Sequence, residues 1–198
     1  LTDTYGCQQN EADTELLRGM LVDMGFGFTD DPEKADLILL NTCAIREHAE
    51  QRVFGNVGAL THVKRRHPGL VVAMCGCMAQ QSHVRDKVKK SFLVVDLLFG
   101  THVLYKFPEL LWQRLSGDKR VFDISGDEEG VIVEGVTPNR DRQVKAWLPI
   151  MYGCNNFCTY CIVPYVRGRE RSREARAGRA GLGKLGGQGY KNLTLLGE

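Results

Sequence analysis

Asp36-Leu-Ile-Leu-Leu-Asn41 and Leu70-Val-Val-Ala-Met74 are the two stretches on which the fold turns. Each is a short, unbroken apolar run with no polar alternation. A strand covered on both faces reads this way, as in a buried parallel sheet. Between them Val53, Phe54, Val57, Leu60 and Val63 recur at helical spacing, Lys64, Arg65 and Arg66 lie near the helix end, and Pro68-Gly69 breaks the pattern. Upstream, Asn10 to Met24 places Leu16, Leu17, Met20, Leu21 and Met24 on one helical face, with Asp13 or Asn10 as cap and Gly25 as stop. Downstream, the pattern predicts a helix over Gln80 to Lys90, a strand over Phe92 to Leu98, and a helix over Val103 to Leu115 that contains Pro108. Alternating strands and helices of this kind predict an α/β domain, a doubly wound, flavodoxin-like parallel sheet, over residues 1–116.

From 117 to 145 glycines, Pro138 and many charges replace the periodic pattern, which reads as a linker with a strand at Gly130 to Val136. Ala146-Trp-Leu-Pro-Ile-Met151 opens a second unit over 146–198, and Lys191 to Leu196 is its next strand. No internal repeat is visible. The formal net charge is only +2, so the average composition does not mark a nucleic-acid binder, and any basic patch is local. The longest apolar run, Phe92 to Phe99, is interrupted by Asp96 and is too short to span a bilayer. No charged segment followed by an apolar one opens the chain, so a cytoplasmic location is expected. Seven cysteines, an odd number without an export signal, argue for a reducing compartment and against a disulfide framework.

Cys154-x-x-x-Cys158-x-x-Cys161 is the strongest chemical signal. Three thiolates so close converge only if a loop wraps around a centre, and Gly153 and Asn155-Asn156 suit that wrap. A structural zinc site wants four ligands, and no cysteine or histidine follows Cys161. An iron–sulfur cubane on three cysteines, with its fourth iron open, fits the ligand count better. The other cysteines are dispersed. Cys7, Cys43 and Cys77 each fall just past a predicted strand end, and the carboxyl edge of a parallel sheet is where ligands bind. The alternative is that they are small core residues. Arg167, Arg169, Arg171 and Arg173 alternate after the tight cluster, so on an extended segment all four face one way, toward RNA phosphates or as a solvated basic loop.

The tight cluster with Tyr160 before its third cysteine, and the flanking text from Gly153 through Ile162-Val-Pro-Tyr-Val-Arg167 to Arg173, resembles the methylthiotransferases of the radical S-adenosylmethionine superfamily. Thr4-Tyr-Gly-Cys-Gln-Gln-Asn10, Leu40-Asn-Thr-Cys-Ala-Ile-Arg46 and Cys75-Gly-Cys-Met-Ala-Gln80 resemble the amino-terminal domain of the same family. The resemblance implies a 4Fe-4S cluster with S-adenosylmethionine on Cys154, Cys158 and Cys161, and an auxiliary 4Fe-4S cluster on Cys7, Cys43 and Cys77. Cys75 falls outside the family pattern and reads as a small strand residue. The resemblance further implies a partial (β/α) barrel beginning at 146, cofactor contacts from Tyr160, Gly197 and Glu198, RNA contacts from Arg167, Arg169, Arg171 and Arg173, and an electron donor such as a flavodoxin or ferredoxin system. It implies a monomer acting on tRNA, at C2 of isopentenyladenosine beside the anticodon. The alternatives are threonylcarbamoyladenosine, a ribosomal protein, or an inactive truncated iron–sulfur fragment. Four departures stand out. Gln9 replaces a usual Met, and Glu198 a usual Gln. Residues 175–189 hold six glycines at about 1 kcal/mol each in a helix interior, so the barrel helix expected there should be weak or absent. The chain also stops after two barrel strands, so it is expected to be incomplete for activity.

Overall fold

A computed structural model describes residues 1–44, 47–117, 119–125, 131–141 and 144–197, without the side chains of 47–49. The first sheet joins β1 (Thr2–Tyr5), β2 (Leu37–Thr42), β3 (Val71–Gly76), β4 (Leu97–Phe99) and β5 (Val121–Asp123), all parallel. Every residue of β2 and β3 is buried, as their unbroken apolar runs require. The helices are α1 (Gln8–Asp23), α2 (Glu47–Arg66), α3 (Ser82–Ser91) and α4 (Phe107–Leu115). Successive side chains alternate between the two faces. Ile38, Leu40, Val72 and Met74 pack with Val53 and Val57 of α2 and Val84 and Val88 of α3. Leu37, Leu39, Val71 and Ala73 pack with Leu17, Met20 and Leu21 of α1 and Phe107 and Leu111 of α4. Both faces are therefore covered, and the α/β class is as expected.

Several details differ from the sequence reading. The strands run in the order β1-β2-β3-β4-β5. A flavodoxin-like sheet instead places its second strand outside its first, so this edge has no reversal point, and the strand ends themselves locate the site. The strand expected over Phe92 to Leu98 is only Leu97–Phe99, because Phe92 and Val95 close a turn and Asp96 is a buried acceptor. Asp96 takes the Val72 N–H at 2.9 Å and pairs with Lys64 and Arg114, which makes a charge tolerable there. Pro108 sits in the first turn of α4, where its missing N–H costs nothing. A 3₁₀ stretch, Thr101–Lys106, occupies the start of the expected helix.

The segment after α4 contributes β5 to the first sheet and then crosses α1. Residues 131–136, expected as strand, carry no strand, and 130 lies outside the described residues. Asn139 donates to the Glu15 carbonyl at 2.8 Å, and Arg140 pairs with Glu15 at 3.0 Å. The second sheet has β6 (Lys145–Tyr152) at its centre, β7 (Arg171–Ser172) antiparallel on one side and β8 (Asn192–Gly197) parallel on the other. Two helices complete it, α5 (Val163–Arg167) and α6 (Ala175–Gly187). The existence of α6 corrects the expectation that its glycines would leave it weak or absent. Leu185 and Leu182 of α6 cover Ala146, Leu148 and Ile150, so packing on the sheet overrides the weak intrinsic propensity. On the opposite face Trp147 packs on Ala12 and Leu196 and donates to Glu11 of α1 at 3.2 Å, so one indole docks the second sheet on the first unit.

Candidate functional site

Three parallel strands end at one edge, and a cysteine follows each. Tyr5 is in register with Thr42, and Thr42 with Gly76. Cys43 and Cys77 are thus the next residues on neighbouring strands, both 4% exposed, and Cys7 lies two past β1 as the N-cap of α1. Anionic sulfur is favoured at that helix end. A buried polar network fixes the turns. The Cys7 thiol faces Asn10 Oδ1 at 3.3 Å, and Asn10 Nδ2 donates to Asn41 Oδ1 at 3.0 Å and to the Thr42 carbonyl at 3.2 Å. Asn41 Nδ2 donates back to the Asn10 carbonyl at 2.9 Å and to Thr14 Oγ1 at 3.0 Å. Gly76, at φ 95°, brings β3 against this network. A Cβ there would lie 2.3 Å from Asn41 Oδ1 and from the Thr42 carbonyl oxygen. Asn41 and Thr42 were not picked out from the sequence, and Asn10 only as a candidate helix cap. The available signal was two polar residues ending an apolar strand that is buried throughout.

All seven cysteines are free thiols. Burial pushes the Cys77 thiol up to about 11; Arg167 acts against this, while Asp13, Cys43 and Cys7 add to it. The three sulfurs therefore share one electrostatic neighbourhood. Cys75 lies in the α1 and α4 face of the core, and burial raises its thiol well above the ordinary range, as suits a small core residue.

The second cysteine set occupies the loop after β6. Gly153, at φ 72°, turns the chain, and Cys154 N–H donates to the Gly168 carbonyl at 3.1 Å. Inside the loop Cys161 N–H donates to the Cys158 carbonyl at 3.0 Å, and Asn156 N–H points at Cys154 Sγ at 3.5 Å. Asn155 Oδ1 accepts the Glu170 N–H at 3.1 Å. Phe157 adopts φ 46°, meets Tyr165 edge-on at 5.8 Å, and lies under the Arg169 guanidinium at 4.7 Å. Cys158 is exposed, Cys154 and Cys161 are partly covered, and Tyr160 is 90% exposed. Gly197 pairs with Met151 at the end of β8, and Glu198 lies outside the described residues. Among the described residues no group of three histidine, cysteine, aspartate or glutamate side chains gathers closely enough to hold one metal ion. A cubane does not require that, because each of its cysteines binds a different iron.

The four arginines do not form one row. Arg167 ends α5 and Gly168 turns the backbone at φ 77°, so the segment is not extended. The Arg167 side chain is 5% exposed and pairs at 2.9 Å with Asp13, itself 4% exposed. Its charge faces inward, away from any phosphate. Arg171 donates to the carbonyls of Arg167 and Arg169, both at 3.2 Å, and Arg173 pairs with Glu134 at 2.9 Å. Arg169 is exposed.

Comparison with known proteins agrees with this arrangement. A family model described as "Uncharacterized protein family UPF0004" matches residues 1–100. A protein of Clostridium perfringens is 54% identical over 195 residues, covering 98% of this chain and 43% of its own length. One of Acetivibrio thermocellus is 52% identical over 196 residues, covering 99% and 41% respectively. One of Clostridioides difficile is 50% identical over 197 residues, covering 100% and 41%. All three are named tRNA-2-methylthio-N(6)-dimethylallyladenosine synthase. The chain thus spans less than half the length of the relatives it matches. With its three strand-end cysteines lying inside the 100 matched residues, the chain belongs to the UPF0004 family.

Proposed function

We propose that this chain is part of a radical S-adenosylmethionine methylthiotransferase that modifies C2 of N6-isopentenyladenosine beside the anticodon of tRNA. The observation that carries the reading is the pair of separate three-cysteine sets, one on the carboxyl edge of the first sheet and one in the loop after β6. The relatives' shared name supplies the substrate. Donor chemistry supports two 4Fe-4S clusters. Each set offers soft sulfur ligands alone, three in number, which leaves one iron of each cubane open.

Cys7, Cys43 and Cys77 would hold the auxiliary cluster, and Cys154, Cys158 and Cys161 the cluster that binds S-adenosylmethionine. When bound, these groups supply the electron that cleaves the sulfonium, the radical that removes hydrogen from C2, and the sulfur and methyl group that replace it. The protein's share is to place and shield. Asn10 and Asn41 fix the two turns that carry Cys7 and Cys43. Tyr160, within the loop, and Gly197, at the end of β8, are the cofactor contacts, with Glu198 next in the chain. Arg169, exposed ahead of β7, offers its guanidinium outward for an RNA phosphate, with Arg171 in β7 and Arg173 just after it as the further candidates. The whole protein acts as a cytoplasmic monomer fed by a flavodoxin or ferredoxin system. No described helix is long and apolar enough to cross a membrane.

Two measurements test this. Nucleoside mass spectrometry on a deletion strain should show loss of the 2-methylthio group from isopentenyladenosine, and its persistence would overturn the substrate. Anaerobic reconstitution of the full-length protein should give about eight irons per chain. About four or fewer would overturn the two-cluster reading.

A further inference from the structure

The described arginines differ sharply in what surrounds them. Arg66 and Arg85 pair at the surface, whereas the Arg167 side chain is only 5% exposed. Its partner Asp13 sits on α1, six residues after Cys7, and Asp13 Oδ1 also accepts from the Gln9 amide at 3.2 Å. Arg167 itself ends the helix that follows the Cys154 to Cys161 loop directly, six residues after Cys161. That helix is held against the first unit at a second point, where the Thr101 hydroxyl donates to the Val166 carbonyl. One guanidinium therefore reaches from the loop unit to α1, the helix that begins beside Cys7, and lies within electrostatic range of Cys77 and Cys7. Burial alone would disfavour its charge, but Asp13, then the Cys77 and Cys7 sulfurs, outweigh that and hold it more firmly charged than an ordinary arginine.

We propose that Arg167 is the electrostatic positioning residue of the Cys7, Cys43 and Cys77 site: its buried cation, set by Asp13, tunes the charge that this site carries and ties that charge to the docking of the other cysteine loop. The inference rests on the reading that these three cysteines hold an iron–sulfur cluster. Reduction adds a negative charge to such a cluster. In a buried setting a nearby cation favours the reduced state and a nearby anion opposes it. Arg167 and Asp13 therefore pull in opposite directions, whereas a merely structural pair would show no such opposition.

The test uses the full-length protein, reconstituted anaerobically and titrated under electron paramagnetic resonance, in two backgrounds. Cys154→Ala/Cys158→Ala/Cys161→Ala leaves only the strand-end site, and Cys7→Ala/Cys43→Ala/Cys77→Ala leaves only the loop site. In the first background Arg167→Gln should move the midpoint to a more negative potential, Asp13→Asn should move it to a more positive one, and Arg167→Lys should hold it near the parent value. The second background should move less in every case. An unmoved midpoint, two shifts of the same sign, or a shift larger in the second background overturns the proposal. Should Arg167→Gln lose its iron, Asp13→Asn and Arg167→Lys decide by the same signs. No iron in the first background's parent would instead sink the cluster reading itself, and this inference with it, before any Arg167 variant is made.

Discussion

The two sheets of this molecule are built on opposite plans. The first buries every residue of β2 and β3 between helices on both faces. The second buries only Ala146, Trp147 and Leu148 of β6 and Leu196 of β8, leaves Leu195 about half exposed, and is covered on one side by a helix carrying five glycines. Yet each carries three cysteines. The contrast teaches that a cysteine site does not need one kind of support. The strand-end set is held by a packed core and a buried amide network, the loop set by backbone hydrogen bonds closing on themselves.

Truncation in the cores gives the largest effect and the first way to break this comparison. Leu98→Ala removes a side chain with no exposure from the first sheet and should cost about 2–5 kcal/mol in denaturant unfolding. Leu148→Ala, on the less buried second sheet, should cost less; equal losses would mean the second sheet is as tightly built as the first. Gly76→Ala comes next. It forces a side chain into φ 95° and against Asn41 and Thr42, and should cost about 1–3 kcal/mol while reducing the iron retained at the strand-end site, read by iron analysis.

The glycines of α6 sharpen the comparison with a change of sign. Gly183→Ala meets nothing within 4 Å and should stabilise by up to about 1 kcal/mol in thermal melts. Gly181→Ala places its Cβ 3.2 Å from Leu148 Cδ1 and should gain less or lose. The smallest effect is at the surface. The Arg66 hydrogen bond holds the Glu33 carboxyl below the usual carboxylate range. A depressed folded value stabilises above the unfolded value and is lost as pH falls. Arg66→Ala should therefore leave the melting temperature at neutral pH nearly unchanged and slightly flatten its fall in acid.

The first sheet was legible because Leu37 to Leu40 and Leu70 to Met74 admit one environment, burial on both faces. The cysteine edge followed from it, since strand ends in a parallel sheet are neighbours. What local pattern could not reveal was decided by distant contacts. The α6 glycines read as a break until Leu148 supplied a surface for Leu185. The arginine alternation read as one exposed face until Gly168 turned the chain and Asp13, 154 residues away, took Arg167 inside. Asn41 was visible as a polar end to an apolar strand, but its partner Asn10 lay on another element, and nothing in either sequence neighbourhood names the other.

The neck at Gly153 has a consequence of its own. A Cβ there would lie 2.2 Å from the Arg169 carbonyl oxygen and 2.5 Å from that of Gly168, so the strand entering the cysteine loop and the segment leaving it touch backbone to backbone. A loop whose ends already meet has met most of its closure entropy before any ligand arrives. Residues between the ends can then change identity or number without loosening the sheet that carries them. The loop behaves as a detachable cassette: its chemistry is free to diversify while its mounting, one glycine and two carbonyls, stays fixed.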